Sequence, residues 1–139
     1  MEASFRIEPD LEKRATPAVP ELDRVLRESK RLRKFYESLT PYTKSEIARS
    51  IAGAKQEVTR LQRAQRLAER LMETMEAEIE LPPTIRQRMM RNPKAAEGWK
   101  RMPPSHRRMQ LLSIFYYRNP ESRLRRIDKA VEEMIDYAS

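Results

Sequence analysis

The sequence predicts an all-α protein built from two tandem, pseudo-symmetric units of about four short helices each, packed into one compact domain. Three observations predict it. Only 6% of the 139 residues are aromatic and no β-branched run occurs, which leaves little to build a sheet from. Ten prolines stand as punctuation between helix-forming stretches, while two glycines, Gly53 and Gly98, leave few places for left-handed turns. Above all, the chain aligns with itself at an offset of 63 residues, without a gap, from Pro20/Pro83 to Leu71/Met134.

The repeat rests on register. Identities fall at Pro20/Pro83, Pro41/Pro104, Ser50/Ser113, Ile51/Ile114, Arg60/Arg123, Leu61/Leu124, Arg63/Arg126 and Glu69/Glu132. Apolar pairs hold the same phase at Leu22/Ile85, Leu26/Met89, Tyr36/Trp99, Leu39/Met102, Ala48/Leu111 and Leu71/Met134. Helix punctuation and core positions therefore repeat together.

Each unit reads as four helical pieces. The first follows a proline, over 21–29 and 83–91. The second covers 30–38, and 94–102 behind Asn92-Pro93. Pro41 and Pro104 suit a first helical turn, because proline fixes φ and that turn needs no amide donor. The third helix is expected over Tyr42–Lys55 and Ser105–Tyr117, with Asn119-Pro120 as its stop in the second unit. Leu124, Ile127, Val131 and Met134 then step along one helical face, and Leu61, Ala64, Ala68 and Leu71 repeat the stripe with smaller groups. Both stripes are expected to face inward. Glu121 stands in the first turn of the last helix, where the dipole favours an acid. The corresponding helix of the first unit is expected to run on to about Glu78, which makes Glu73, Glu76 and Glu78 helix surface.

The expected organisation is a flexible segment at 1–19, broken by prolines and lacking a stripe, then unit one at 20–81 and unit two at 82–139. The net charge of +8 is unevenly spread: residues 20–71 carry +6 and 83–139 carry +7, with −4 between them over 72–82. Such a balance suits an acidic partner and equally suits an arginine-rich helical surface. There is no cysteine, hence no disulfide framework, thiol nucleophile or cysteine metal site. The first 19 residues lack the basic start and apolar run of a secretory signal, and no stretch approaches the ~20 apolar residues that span a bilayer. The expected location is the cytoplasm, without membrane insertion.

Unit two carries a more specific pattern: Pro82-Pro83, Asn92-Pro93-Lys94-Ala95, Pro104-Ser105-His106-Arg107-Arg108, and Asn119-Pro120-Glu121-Ser122-Arg123-Leu124-Arg125-Arg126-Ile127-Asp128-Lys129. These runs resemble the C-terminal module of the YdeI/OmpD-associated, or bacteriocin-protection, family. Unit one echoes it at Phe35-Tyr36-Glu37-Ser38-Leu39-Thr40-Pro41, Ala54-Lys55, Thr59-Arg60 and Arg63. Departures occur at Met109-Gln110, where the family has Glu-Tyr, at Ile114-Phe115 for its Trp-Ile, and at Tyr117-Arg118 for its Ala-Lys. In unit one Tyr42-Thr43-Lys44-Ser45 replaces Ser-His-Arg-Arg. The resemblance implies a helical fold and a link to stress or antimicrobial-peptide resistance; family members usually carry one such module, so two in tandem make this chain a variant. The resemblance supplies no catalytic residues.

The residues themselves nominate binding, not chemistry. Paired carboxylates, a Ser/His/Asp set, a P-loop and a glycine-rich dinucleotide turn are missing from the sequence, so no enzyme, cofactor or metal is expected. His106, the only histidine, reads as structural, since no carboxylate flanks it at ligand spacing. Arg60/Arg123 and Arg63/Arg126 share helix faces at i, i+3. They read either as an anion clamp, because guanidinium forks match phosphate and carboxylate, or as fold-stabilising groups, which is the preferred reading. Arg107, Arg108 and Arg118 extend the basic set. Trp99, Phe115 and at least one of Tyr116 and Tyr117 are expected in the core, with the methionines as core filling. The expected function is non-enzymatic binding of a protein or peptide. The alternative is a basic helical nucleic-acid-binding protein, which interleaved acids and the lack of a nucleic-acid motif disfavour.

Overall fold

The computed structural model describes residues 16–139. Among these residues there are eight α-helices and no strand: α1 (Pro20–Leu26), α2 (Lys30–Glu37), α3 (Pro41–Ala52), α4 (Glu57–Ile79), α5 (Pro83–Met90), α6 (Pro93–Arg101), α7 (Pro104–Phe115) and α8 (Pro120–Ala138). Every helix start of the first set recurs 63 residues later: Pro20/Pro83, Lys30/Pro93, Pro41/Pro104 and Glu57/Pro120. Six helices begin on proline, which costs no hydrogen bond at a first-turn position. Contacts divide the chain into two units between Leu71 and Met72, inside α4. Of the N-terminal segment read as flexible, residues 1–15 lie outside the described residues; Val19, at its end, is buried.

Side-chain caps close the N-termini of α2, α3, α6 and α8. Ser29 accepts from the Leu32 amide at 3.2 Å and Thr40 from Thr43 at 3.2 Å. Asn92 accepts from Lys94 at 2.9 Å, and Asn119 from both Glu121 and Ser122 at 2.9 and 3.1 Å. Asn119-Pro120 is thus the start of α8 and not the stop of α7. The third helices end at Ala52 and Phe115, short of the expected Lys55 and Tyr117. The carbonyls left beyond those ends are taken by arginines from the next helix, described below.

Nine pairs of equivalent positions are buried in both units: Leu22/Ile85, Leu26/Met89, Leu32/Ala95, Leu39/Met102, Ala48/Leu111, Ile51/Ile114, Ala64/Ile127, Leu67/Ala130 and Leu71/Met134. The inward stripe of the fourth helix is rotated from the expected one. It runs through Ala64, Leu67 and Leu71, and through Ile127, Ala130 and Met134, while Leu61, Ala68, Leu124 and Val131 are half-buried at its edges. In unit two Ala95, Gly98 and Ala130 let α6 approach α8 closely. A β-carbon built on Gly98 would lie 1.6 Å from the Met134 carbonyl oxygen. Unit one has Phe35 at the position of Gly98, so the two units set this helix pair at different separations.

Candidate functional site

The repeated arginines are built into the fold by the same carbonyl. Arg60 extends from the first turn of α4 and donates through Nη1 to the carbonyls of Ala54 and Lys55, at 3.1 and 2.9 Å. Arg123, 63 residues on, donates through Nε to the Tyr117 carbonyl at 2.8 Å, the equivalent of Ala54. Each arginine also takes a carboxylate of its own unit. Arg60 Nε meets Glu21 Oε2 at 3.1 Å, and the Arg123 fork meets both oxygens of Glu73 at 3.1 and 3.3 Å. The Arg123 guanidinium also lies 5.1 Å over the Phe115 ring, a cation–π contact. The two carboxylates come from unrelated places, one from α1 and one from α4, so only the arginine and the carbonyl are shared by the repeat.

Glu21 is the buried member of these pairs, 4% exposed, and its Oε1 has no hydrogen-bond partner among the described residues. A hydrogen bond from backbone amide holds its carboxyl below the ordinary value; burial opposes this, and Arg60 and Arg24 add to the lowering. Arg63 donates to the Ser50 carbonyl at 2.6 Å. Arg126 donates to Gln110 Oε1 at 3.1 Å, and Gln110 in turn bonds Glu133. These contacts fasten the fourth helix of each unit to the third.

Arg107 and Arg108 sit on the first turns of α7, where they line a groove of about 630 Å³ within unit two. Ala77, Ile79, Leu81, Trp99 and Leu111 supply its apolar lining, and Glu78 and Ser105 add polar groups. Arg108 is bound at 2.6 and 2.9 Å by both carboxylate oxygens of Glu78, a bidentate pair. Arg107 reaches the Trp99 carbonyl at 3.3 Å, and its guanidinium lies 6.0 Å from the Trp99 ring centroid. Among the described residues no carboxylate reaches Arg107 at ion-pair distance.

Arg107 and Arg108 share the groove, Arg123 and Arg126 are tied back by their own helix neighbours, and Arg118 is exposed on the loop after α7. Arg60 and Arg63 belong to unit one. Trp99 is half-buried, packing against the core on one side and walling the groove on the other, while Phe115 is core. Tyr116 and Tyr117 are both exposed, at 62% and 38%, and stack edge-on at 5.1 Å. Of the methionines, Met89, Met102 and Met134 are buried, whereas Met72, Met90 and Met109 are exposed. His106 is exposed, and its Nδ1 lies 2.6 Å from the Tyr137 hydroxyl. The groove's apolar wall at Ile79 and Leu81 was hidden in the sequence by the acidic run around it; the tryptophan beside a double arginine was its one visible signal.

Fold and site together define a class: a duplicated all-helical unit whose arginines lock each last helix to the carbonyls before it. The chain belongs to the bacteriocin-protection, YdeI or OmpD-associated family, whose pattern it matches twice, over residues 16–74 and 78–136. No curated protein and no solved structure matches significantly. Among the described residues, no helix is long and apolar enough to cross a membrane, and no group of His, Asp and Glu side chains is arranged to hold a metal ion.

Proposed function

We propose that this chain is a non-enzymatic binding protein whose partner is a polypeptide. The observation that carries the reading is how the arginines are used. Arg60, Arg63, Arg108, Arg123 and Arg126 all give N–H groups to carbonyls, carboxylates or an amide of their own unit. Binding to a phosphate backbone calls for cations held open along a track. Here ion pairs interleave with the basic groups, as at Arg88–Asp128, Arg86–Glu80 and Arg101–Glu97. A groove with an apolar wall and a few polar groups suits a peptide segment better. His106, bonded to a tyrosine hydroxyl and not to a serine or carboxylate, supports a role outside catalysis. The family's bacteriocin-protection description fits a peptide-sized partner, and protection by peptide capture belongs to the same proposal.

Binding of labelled peptides and labelled duplex and single-stranded oligonucleotides, compared at about 0.15 M salt, tests the reading. Saturable peptide binding with weak oligonucleotide binding is expected. Tight, steeply salt-dependent oligonucleotide binding would reverse it.

A further inference from the structure

The repeat supplies an internal control for Arg107, because position 44 of unit one is its equivalent. There Lys44 is answered by Glu37: Nζ lies 3.9 Å from Glu37 Oε1 and 3.5 Å from the Glu37 carbonyl. The position of Glu37 in unit two is Lys100, a second cation. The carboxylate that neutralises the site in one copy has been replaced by the opposite charge in the other. Beside it, Tyr36 of unit one corresponds to Trp99, and Ala48 to Leu111, so the same exchange enlarges the apolar wall. Glu78, the one acid lining the groove, is held by Arg108 through both oxygens. A charge-assisted pair of that geometry leaves Arg107 as the groove's uncompensated group.

We infer that the Trp99–Arg107 groove of unit two binds an acidic peptide segment, with Arg107 taking a carboxylate and an adjacent aliphatic side chain resting against Trp99, Ile79 and Leu81. The inference rests on the polypeptide-binding reading and adds its chemistry and its place. One Arg107 N–H goes to the Trp99 carbonyl, which positions the guanidinium and leaves the rest of a five-donor fork for the ligand. Ile79, 81% exposed, marks how far the apolar wall is open to solvent.

Trp99 is the only tryptophan in the chain, so its emission reads the groove directly. The full-length protein is titrated with a short peptide alternating leucine and glutamate, with its leucine–glutamine isostere, and with a single-stranded oligonucleotide. The acidic peptide is expected to shift Trp99 emission saturably and to bind about 10- to 100-fold more tightly than the glutamine peptide, the weight of one charged hydrogen-bond set. Arg107→Gln should lose that factor, Arg107→Lys should keep part of it, and Lys44→Gln should behave as wild type. Thermal melts of the variants establish that each is folded. If both peptides bind equally, or if Arg107→Gln binds the acidic peptide as wild type does, the inference falls while the polypeptide reading stands. If no peptide moves Trp99 emission, or the oligonucleotide binds more tightly than the acidic peptide, the inference is overturned, and in the second case the polypeptide reading falls with it.

Discussion

Replacing Gly98 by alanine sets two well-understood effects against each other. On an exposed helix face the change stabilises by about 1 kcal/mol, since alanine is the better helix former. At Gly98 the new methyl group would sit 1.6 Å from the Met134 carbonyl oxygen, against a limit near 3.0 Å. The obstacle is backbone, so it cannot swing aside as a side chain would. Helices α6 and α8 must part by about 1.4 Å, the difference between those two distances. A gap of that size forfeits a large share of the dispersion energy along the contact, and overpacking of this kind costs ~1–3 kcal/mol, occasionally more. Ala95, Ala130 and Met134, all fully buried, are the groups that lose partners. The clash outweighs the propensity gain, and a net loss of roughly 1–2 kcal/mol is expected, or a fall in Tm of about 3–10 °C for a chain of this size. Thermal and urea unfolding followed by circular dichroism measure it. Gly53→Ala is the control, because its β-carbon meets nothing closer than 3.2 Å and its φ is already helical. A Gly98→Ala protein that melts at or above wild type refutes the close-approach argument.

Three further outcomes follow from the contacts. Arg123→Ala should cost ~1–3 kcal/mol, because the Tyr117 carbonyl and Glu73 lose a charged donor; Arg123→Lys should recover only part, and an unchanged urea midpoint for the alanine variant would contradict the role. Glu21, whose carboxyl is held below its ordinary 4.5, stabilises the fold at pH above that value and loses the contribution as pH falls through the lower folded value. The gap in Tm between wild type and Glu21→Gln should therefore shrink below pH 4.5, and a gap constant with pH would count against it. Asn119→Ala should cost about 1 kcal/mol, since two amides of α8 lose their acceptor; amide exchange at Glu121 and Ser122 is the local readout, and unaltered protection there would show the cap to be dispensable.

The helix starts were legible because they are written in local chemistry: prolines and cap residues at a constant offset need no tertiary information. The core pairs were legible for the same reason, as period and register together exclude most alternatives. The ends of α3 and α7 were not, because they are decided by arginines at 60 and 123 reaching back for carbonyls, a contact across six residues that no propensity records. The stripe of the fourth helix was misplaced by a fraction of a turn because Leu124 and Val131 outweigh Ala130 in a hydrophobicity pattern, whereas the close approach of α6 to α8 selects the smaller side chain. Of the site, the arginines were visible as residues, whereas their carboxylate partners were not: Glu21 and Glu73 occupy non-equivalent positions, so the repeat gave no hint of either. Tyr116 and Tyr117 misled because aromatic character was read as burial, and the chain there has already left the helix.

Four of the eight helices are only seven to nine residues long. Helices of that length are marginal in isolation, since nucleation consumes most of what propagation returns. The prolines that begin six helices act on the other side of the equilibrium. Proline restricts φ whether or not the chain is folded, so each one narrows the denatured ensemble at the position where a helix must start. At roughly 0.4–1 kcal/mol apiece, six such positions are comparable to a substantial part of the stability of a small protein. A duplicated unit too small to rely on long helices can thus draw stability from an unfolded chain with less freedom to lose. The same six residues would be the first place to look if the protein were found to unfold at higher temperature than its core suggests.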